Sequence, residues 1–187
     1  VIFNIVPEII VKYDSVKSLV GSAEIGSLVK QTVVDYDNSS LKMFGRNFKY
    51  SNLLNLVSQS EDSITNVLMN IKTYTTFTPS YSLSTTYTFK LNNEINHPFS
   101  GYQGSIDSSA FTYSDSFGTL YDSCRIDDLD GVLRIYRMVG QTKIIVRTNI
   151  GTVNYSTGLI TLSAFLPNSA VGNVVSIHIQ PKFQDLV

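Results

Sequence analysis

The sequence predicts an α+β protein, with helices in its first half and an all-β meander in its second. Three observations carry that reading. Apolar residues recur at helical spacing over Leu19, Ala23, Leu28 and Val29. Ser51 opens a second segment whose Leu53, Leu54, Leu56 and Val57 share one helical face. After Pro79 no amphipathic helical pattern remains, only short alternating runs divided by turn residues.

Taken in order, residues 1–13 are rich in Ile and Val, carry Pro7, and read as one or two short strands. Asp14-Ser15 reads as an N-cap for a helix ending near Tyr36, which Gly21 and Gly26 weaken. Asp37-Asn38-Ser39-Ser40 supplies a break before the Ser51 helix, which Gln59-Ser60-Glu61-Asp62-Ser63 closes. Residues 64–77 end in a β-branched Thr-Tyr-Thr-Thr segment and read as a strand. Residues 85–91 alternate, with Tyr87, Phe89 and Leu91 on one face. Further strands follow around Val132, Ile135 and Val139, then over 143–147, 151–155, 159–162 and 174–179. Asn154-Tyr155-Ser156-Thr157-Gly158-Leu159 reads as strand, turn and strand, with Gly158 free to take positive φ. The change of character divides the chain into an α+β subdomain over 1–92 and a β-rich subdomain over 93–187.

Composition narrows the function classes. The chain has 187 residues, a net charge of −1 and 16% charged residues, against a usual ~25%. Ser, Thr and Asn supply the polarity instead, giving a surface suited to lasting contacts more than to capture of a polyanion. Nucleic-acid binding, which calls for a basic excess, is therefore not expected. No apolar run approaches the ~18 residues of a membrane-crossing helix, so no membrane partner is expected either. Cys124 stands alone, which excludes an internal disulfide, and two histidines leave little for a zinc site. The chain opens Val1-Ile2-Phe3-Asn4, with no initiator Met or signal pattern, and reads as an internal piece of a longer polypeptide.

No constellation of catalytic residues emerges. Asp127-Asp128-Leu129-Asp130-Gly131 is the densest carboxylate cluster. An EF-hand needs a bidentate Glu at its twelfth position; counting from Asp128, that residue is Val139. The cluster therefore reads as an acidic turn with Gly131 at positive φ. Gly-x-Ser-x-Gly is absent. His97 and His178 read as ordinary surface or partly buried imidazoles, and Glu24 and Glu61 as solvent-facing carboxylates. Gly101-Tyr102-Gln103-Gly104 lacks the Lys and helix start of a phosphate loop. No enzyme activity, metal or cofactor is expected.

The tyrosines are the remaining binding signal. Tyr102, Tyr113, Tyr121, Tyr136 and Tyr155 lie in the β half, where rings stack on sugars or pack within protein contacts. A glycan-binding tail or adhesin module is the alternative reading that they support.

Two stretches carry a resemblance. Leu41-Lys42-Met43-Phe44-Gly45-Arg46-Asn47-Phe48-Lys49-Tyr50-Ser51-Asn52-Leu53-Leu54 resembles the baseplate J-like pattern of contractile-tailed phages: a glycine, an extended aromatic pair, then Ser opening a helix that leads to a strand. Asp127-Asp128-Leu129-Asp130-Gly131-Val132-Leu133-Arg134-Ile135-Tyr136, followed by Ile150-Gly151-Thr152-Val153-Asn154-Tyr155-Ser156-Thr157-Gly158-Leu159-Ile160, is similar to the C-terminal part of the baseplate wedge protein of T-even-like myophages. There a turn precedes a Gly-Thr-Val-x-Tyr-x-x-Gly hairpin. The acidic turn departs from the shorter glycine-rich turn of that pattern.

The resemblance implies a J-like α/β subdomain followed by the β meander, in a non-enzymatic structural subunit of the virion. Such a protein forms homodimers that link into the inner ring of the tail baseplate, touching other wedge proteins and the tail hub and tube region. A ring needs two different self-contacting surfaces, since one isologous patch closes only a dimer. Tyr113, Phe117, Tyr121 and Phe165 are the candidate centre of such a contact, being aromatics placed beside turns.

Overall fold

A computed structural model of the chain describes residues 2–42 and 47–186. The protein is α+β and mostly antiparallel sheet, with two α-helices among the described residues. It resolves into two compact units, residues 7–71 with 184–187, and residues 1–6 with 72–183. The expected division at 92/93 falls inside the second unit. There β3 (Thr85–Lys90) is hydrogen-bonded to β9 (Leu159–Phe165), so the chain before 92 and the chain after it share one sheet.

The first unit contains most of β1 (Asn4–Tyr13), α1 (Ser22–Tyr36), α2 (Tyr50–Ser58) and the first part of β2 (Ile64–Phe77). α1 begins seven residues later than its expected cap. Asp14 Oδ1 instead accepts the Val16 N–H, and Ser18 Oγ accepts that of Val20. These local bonds turn the chain before a helix can form. Leu19 and Val16 are consequently exposed, and α1 buries Ile25, Val29 and Tyr36. The expected break at 37–40 is a π-helical turn, Asp37–Leu41, continuing α1. In α2 the core-facing residues are Leu53 and Val57, four apart; Leu54 is half-buried and Leu56 exposed. The four-residue apolar face expected there is therefore a two-residue stripe.

Long-range bonds seat α2. The Tyr50 hydroxyl donates to the Met69 carbonyl at 3.0 Å, and the Tyr50 N–H donates to Asp185 Oδ1 at 2.7 Å. A carboxylate at a helix N-terminus satisfies a donor without an intrahelical partner and complements the helix dipole. Tyr36 meets Phe48 edge to face at 6.0 Å.

The second unit is a β meander. Its strand order is β2-β11-β4-β6-β7-β8-β9-β3, where β4 is Ile106–Ser108, β6 Leu120–Leu129, β7 Val132–Val139, β8 Thr142–Asn154 and β11 Val175–Ile179. β5 (Phe111–Ser114) pairs with β6 and with the short β10 (Ser169–Ala170). Inward residues Phe89, Ile126, Leu133, Ile135, Ile160, Leu162 and Ile177 form one apolar core. Phe77 closes it, 5.1 Å from Phe89 and 6.1 Å from Phe165 between ring centroids.

Two sequence expectations are corrected here. Asp127 and Asp128 are not turn residues: they lie in β6, and the turn is Asp130-Gly131 alone, with φ of 46° and 87°. Positive φ at both central residues is the two-residue hairpin geometry that matches strand twist. The runs 143–147 and 151–154 belong to one continuous strand, β8, with Asn149 at φ 56° inside it; Tyr155 lies in the turn that follows. Gly158 takes the expected positive φ, 68°, and a Cβ there would collide with the Leu91 carbonyl.

Candidate self-association surface

Three of the four aromatics expected at a contact lie in the β5–β6 hairpin, and the fourth ends β9. Tyr113 is buried, and Phe165 is buried among Phe77, Tyr87 and Phe111. Both are core residues of the chain, because β5 turns Phe111 and Tyr113 toward the sheet interior together. They cannot meet a partner without rearrangement. Phe117 is the opposite case, 93% exposed on the hairpin turn, with Leu120 exposed beside it. Tyr121 lies between these extremes, packed against the core and covered by the Arg137 guanidinium at 5.0 Å from its ring centroid.

One carboxylate organises the turn. Asp115 Oδ1 accepts the N–H groups of Phe117 and Thr119 at 2.9 Å, and Oδ2 accepts the Tyr121 hydroxyl at 2.9 Å. Burial would raise the pKa of Asp115, but the donors from Thr119, Tyr121 and Phe117 outweigh it and lower the value. The same bond to Asp115 raises that of Tyr121. Phe117 is thus displayed on a braced turn. Beside it runs a groove of about 520 Å³ lined by Ser84, Tyr113, Asp115, Val146, Arg147 and Leu166, in which Arg147 donates to the Tyr113 hydroxyl at 2.6 Å. Asp115, Leu120, Arg137 and Arg147 were not singled out by sequence; the Asp-x-x-x-Thr spacing of the turn was the available signal.

The acidic segment forms a second feature. Asp127, on β6, accepts Arg134 Nε at 3.0 Å and Nη2 at 2.7 Å, and Lys143 Nζ at 2.8 Å. Asp128 accepts the Ile106 N–H at 2.8 Å and the Tyr155 hydroxyl at 2.6 Å. Burial, then this bond to Asp128, pushes the Tyr155 phenol far above its ordinary value. Burial, followed by Asp107, pushes Tyr136 up to about 12. Asp130 accepts the Gly101 N–H and the Ser100 hydroxyl. The Gly101–Gly104 loop is therefore fastened to the β6–β7 hairpin, with Gln103 Oε1 also accepting from Arg134. Each carboxylate is consumed by hydrogen bonds that hold strands and loops together.

The other titratable candidates stand apart. His97 stacks on Tyr155 at 4.0 Å with Nε2 3.3 Å from Asp130, whereas His178 stacks on Tyr74 from β11. Glu24 is exposed in the first turn of α1, and Glu61 accepts from Ser63 N–H and hydroxyl. Cys124 is buried, which pushes its thiol up to about 11. Among the described residues no group of three or more His, Cys, Asp or Glu is placed to hold a metal ion. No helix there is long and apolar enough to cross a membrane. The chain matches no protein-family model, and no curated protein matches it.

Proposed function

We propose that this chain is a structural, non-enzymatic subunit of a contractile phage tail baseplate, a wedge component that self-associates in the inner ring around the hub. The observation that carries the reading is the order of the two resembling stretches. Ser51 lies at the start of α2, which leads directly to β2, as the J-like pattern implies; Met43, Phe44, Gly45 and Arg46 of that stretch lie outside the described residues. The second stretch forms the β6–β7 hairpin and then the β8–β9 hairpin through Gly158. A low-charge surface and a braced, exposed Phe117 are what a lasting contact would use.

The glycan-binding alternative asks for exposed rings along a groove. Of the five tyrosines behind it, Tyr113 and Tyr136 are buried, Tyr121 is covered by Arg137 and Tyr155 is stacked on His97; Tyr102, half-buried edge to face with the exposed Phe99, keeps some ring surface, which leaves that alternative the weaker. Antibodies against the chain should label the baseplate end of contractile tails from the phage that encodes it. Particles that carry no label, with the protein found only outside them, would overturn the assignment.

A further inference from the structure

The outer edge of β1 carries a pattern that fits a second copy of itself. β1 stands at the end of the strand order, with no further strand beyond it among the described residues. Its burial alternates strictly, with Glu8, Ile10 and Lys12 on the exposed face and Ile9, Val11 and Tyr13 half-buried on the other. Ile10 is 62% exposed at the centre of that face. The backbone parity is also determined. Thr65 donates its hydroxyl to the Lys12 carbonyl and Thr75 to that of Ile2, so even-numbered carbonyls face β2. Pro7 has no N–H to give a neighbour and belongs on the open side. The odd-numbered residues therefore offer their backbone groups outward.

We propose that the chain dimerises by antiparallel pairing of β1 with β1 of a second copy, centred on Ile10. The inference rests on the self-associating reading above and names a contact for it. Outward odd-numbered groups restrict an antiparallel pairing to registers in which odd residues meet odd residues. Centring on Glu8 or Lys12 sets like charges opposite each other, and centring on Val11 sets Glu8 against Asp14. Centring on Ile9 leaves both Glu8 and Lys12 opposite apolar side chains. Only the Ile10 register sets Glu8, which already accepts from Asn70 Nδ2 of β2 at 3.4 Å, against Lys12 of the second copy as a further partner, and two-fold symmetry makes that pair twice, flanking Ile10 against Ile10. Ile9 then faces Val11, and the pairing forms about six backbone hydrogen bonds, since Pro7 contributes only its carbonyl opposite Tyr13. Lys and Pro on an edge usually prevent pairing. Here their spacing admits one register and disfavours its neighbours.

The test is a charge exchange read by sedimentation velocity, with circular dichroism confirming the fold. Glu8→Lys or Lys12→Glu alone should weaken the dimer by about tenfold or more, and the double exchange should restore it. Ile10→Cys should form a disulfide-linked dimer on mild oxidation, since such a non-hydrogen-bonded pair sets Cα atoms ~4.5 Å apart, within disulfide reach. Cys124 is buried and does not compete. Leu68→Cys, exposed on β2, should not cross-link. A wild-type dimer unaffected by either single reversal would overturn β1 pairing while leaving self-association in place. A wild-type chain that stays monomeric, with no Ile10→Cys cross-link, would overturn both.

Discussion

Arg134 faces Asp127 directly across the β6–β7 ladder and grips its carboxylate with two nitrogens, at 3.0 and 2.7 Å. Lys143 reaches the same carboxylate from β8, so one acidic side chain ties three consecutive strands. Asp127→Ala would leave Arg134 buried without its counter-charge, a change that costs about 3–5 kcal/mol. Lys143 is partly exposed and can turn to water, which favours the lower end of that range. Denaturant unfolding of Asp127→Ala against wild type measures this. The pair replacement Asp127→Leu with Arg134→Met should cost less than the single change, because it removes both charges together.

The α2 stripe yields a contrast between adjacent leucines. Leu53 is buried and Leu54 only half-buried. Leu53→Ala should cost about 2–5 kcal/mol, lowering the melting temperature by roughly 5–15 °C for a chain of this size. Leu54→Ala should shift it by less than half as much. Equal shifts in thermal melts would mean that α2 is seated on a different face.

Asp130 supplies a pH dependence. The Gly101 N–H lowers its pKa most, Ser100 and the neighbouring His97 lower it further, and burial opposes them. A depressed folded-state pKa contributes stability that is present above the ordinary value of 3.8 and lost as pH falls through the folded value. The 97–104 loop should therefore loosen in acid before the core does. The protection of the Gly101 amide against exchange, followed by NMR, should fall as pH drops below 3.8 in wild type. In Asp130→Asn that acid step should be absent.

The braced turn and the core aromatics should respond differently to charge. Phe117→Asp leaves a folded chain, because the ring is already in water. If the β5–β6 end is one of the self-contacts, Phe117→Asp also weakens association, seen by light scattering. Phe165→Asp places an unpaired charge in the core and should unfold the chain. A folded Phe165→Asp protein would contradict the placement of that ring.

Elements with one clean period were legible in the sequence. β2 matches the expected 64–77 because its second half alternates and carries the β-branched Thr-Tyr-Thr-Thr segment, and Gly158 marks the β8–β9 turn. α1 starts later than the sequence suggests, since Asp14 resembles a cap while its side chain, like that of Ser18, closes a local turn. The stretch from β4 to β6 went unread because Asp127 and Asp128 are turn formers by local preference. Partners on other strands and turns, Arg134, Lys143, Tyr155 and the Ile106 N–H, make them tolerable inside a strand. For the same reason Tyr113 and Phe165 looked like contact residues beside turns. Their burial depends on β5 folding back onto the sheet, which no local pattern records.

Self-association is the central claim, and sedimentation over a concentration series tests it most directly. The account predicts a mass that rises from monomer to dimer or beyond by ~100 µM, far above the ~1 µM dissociation constant of a modest interface. A single species of monomer mass at every concentration, in a chain that circular dichroism shows to be folded, would contradict it.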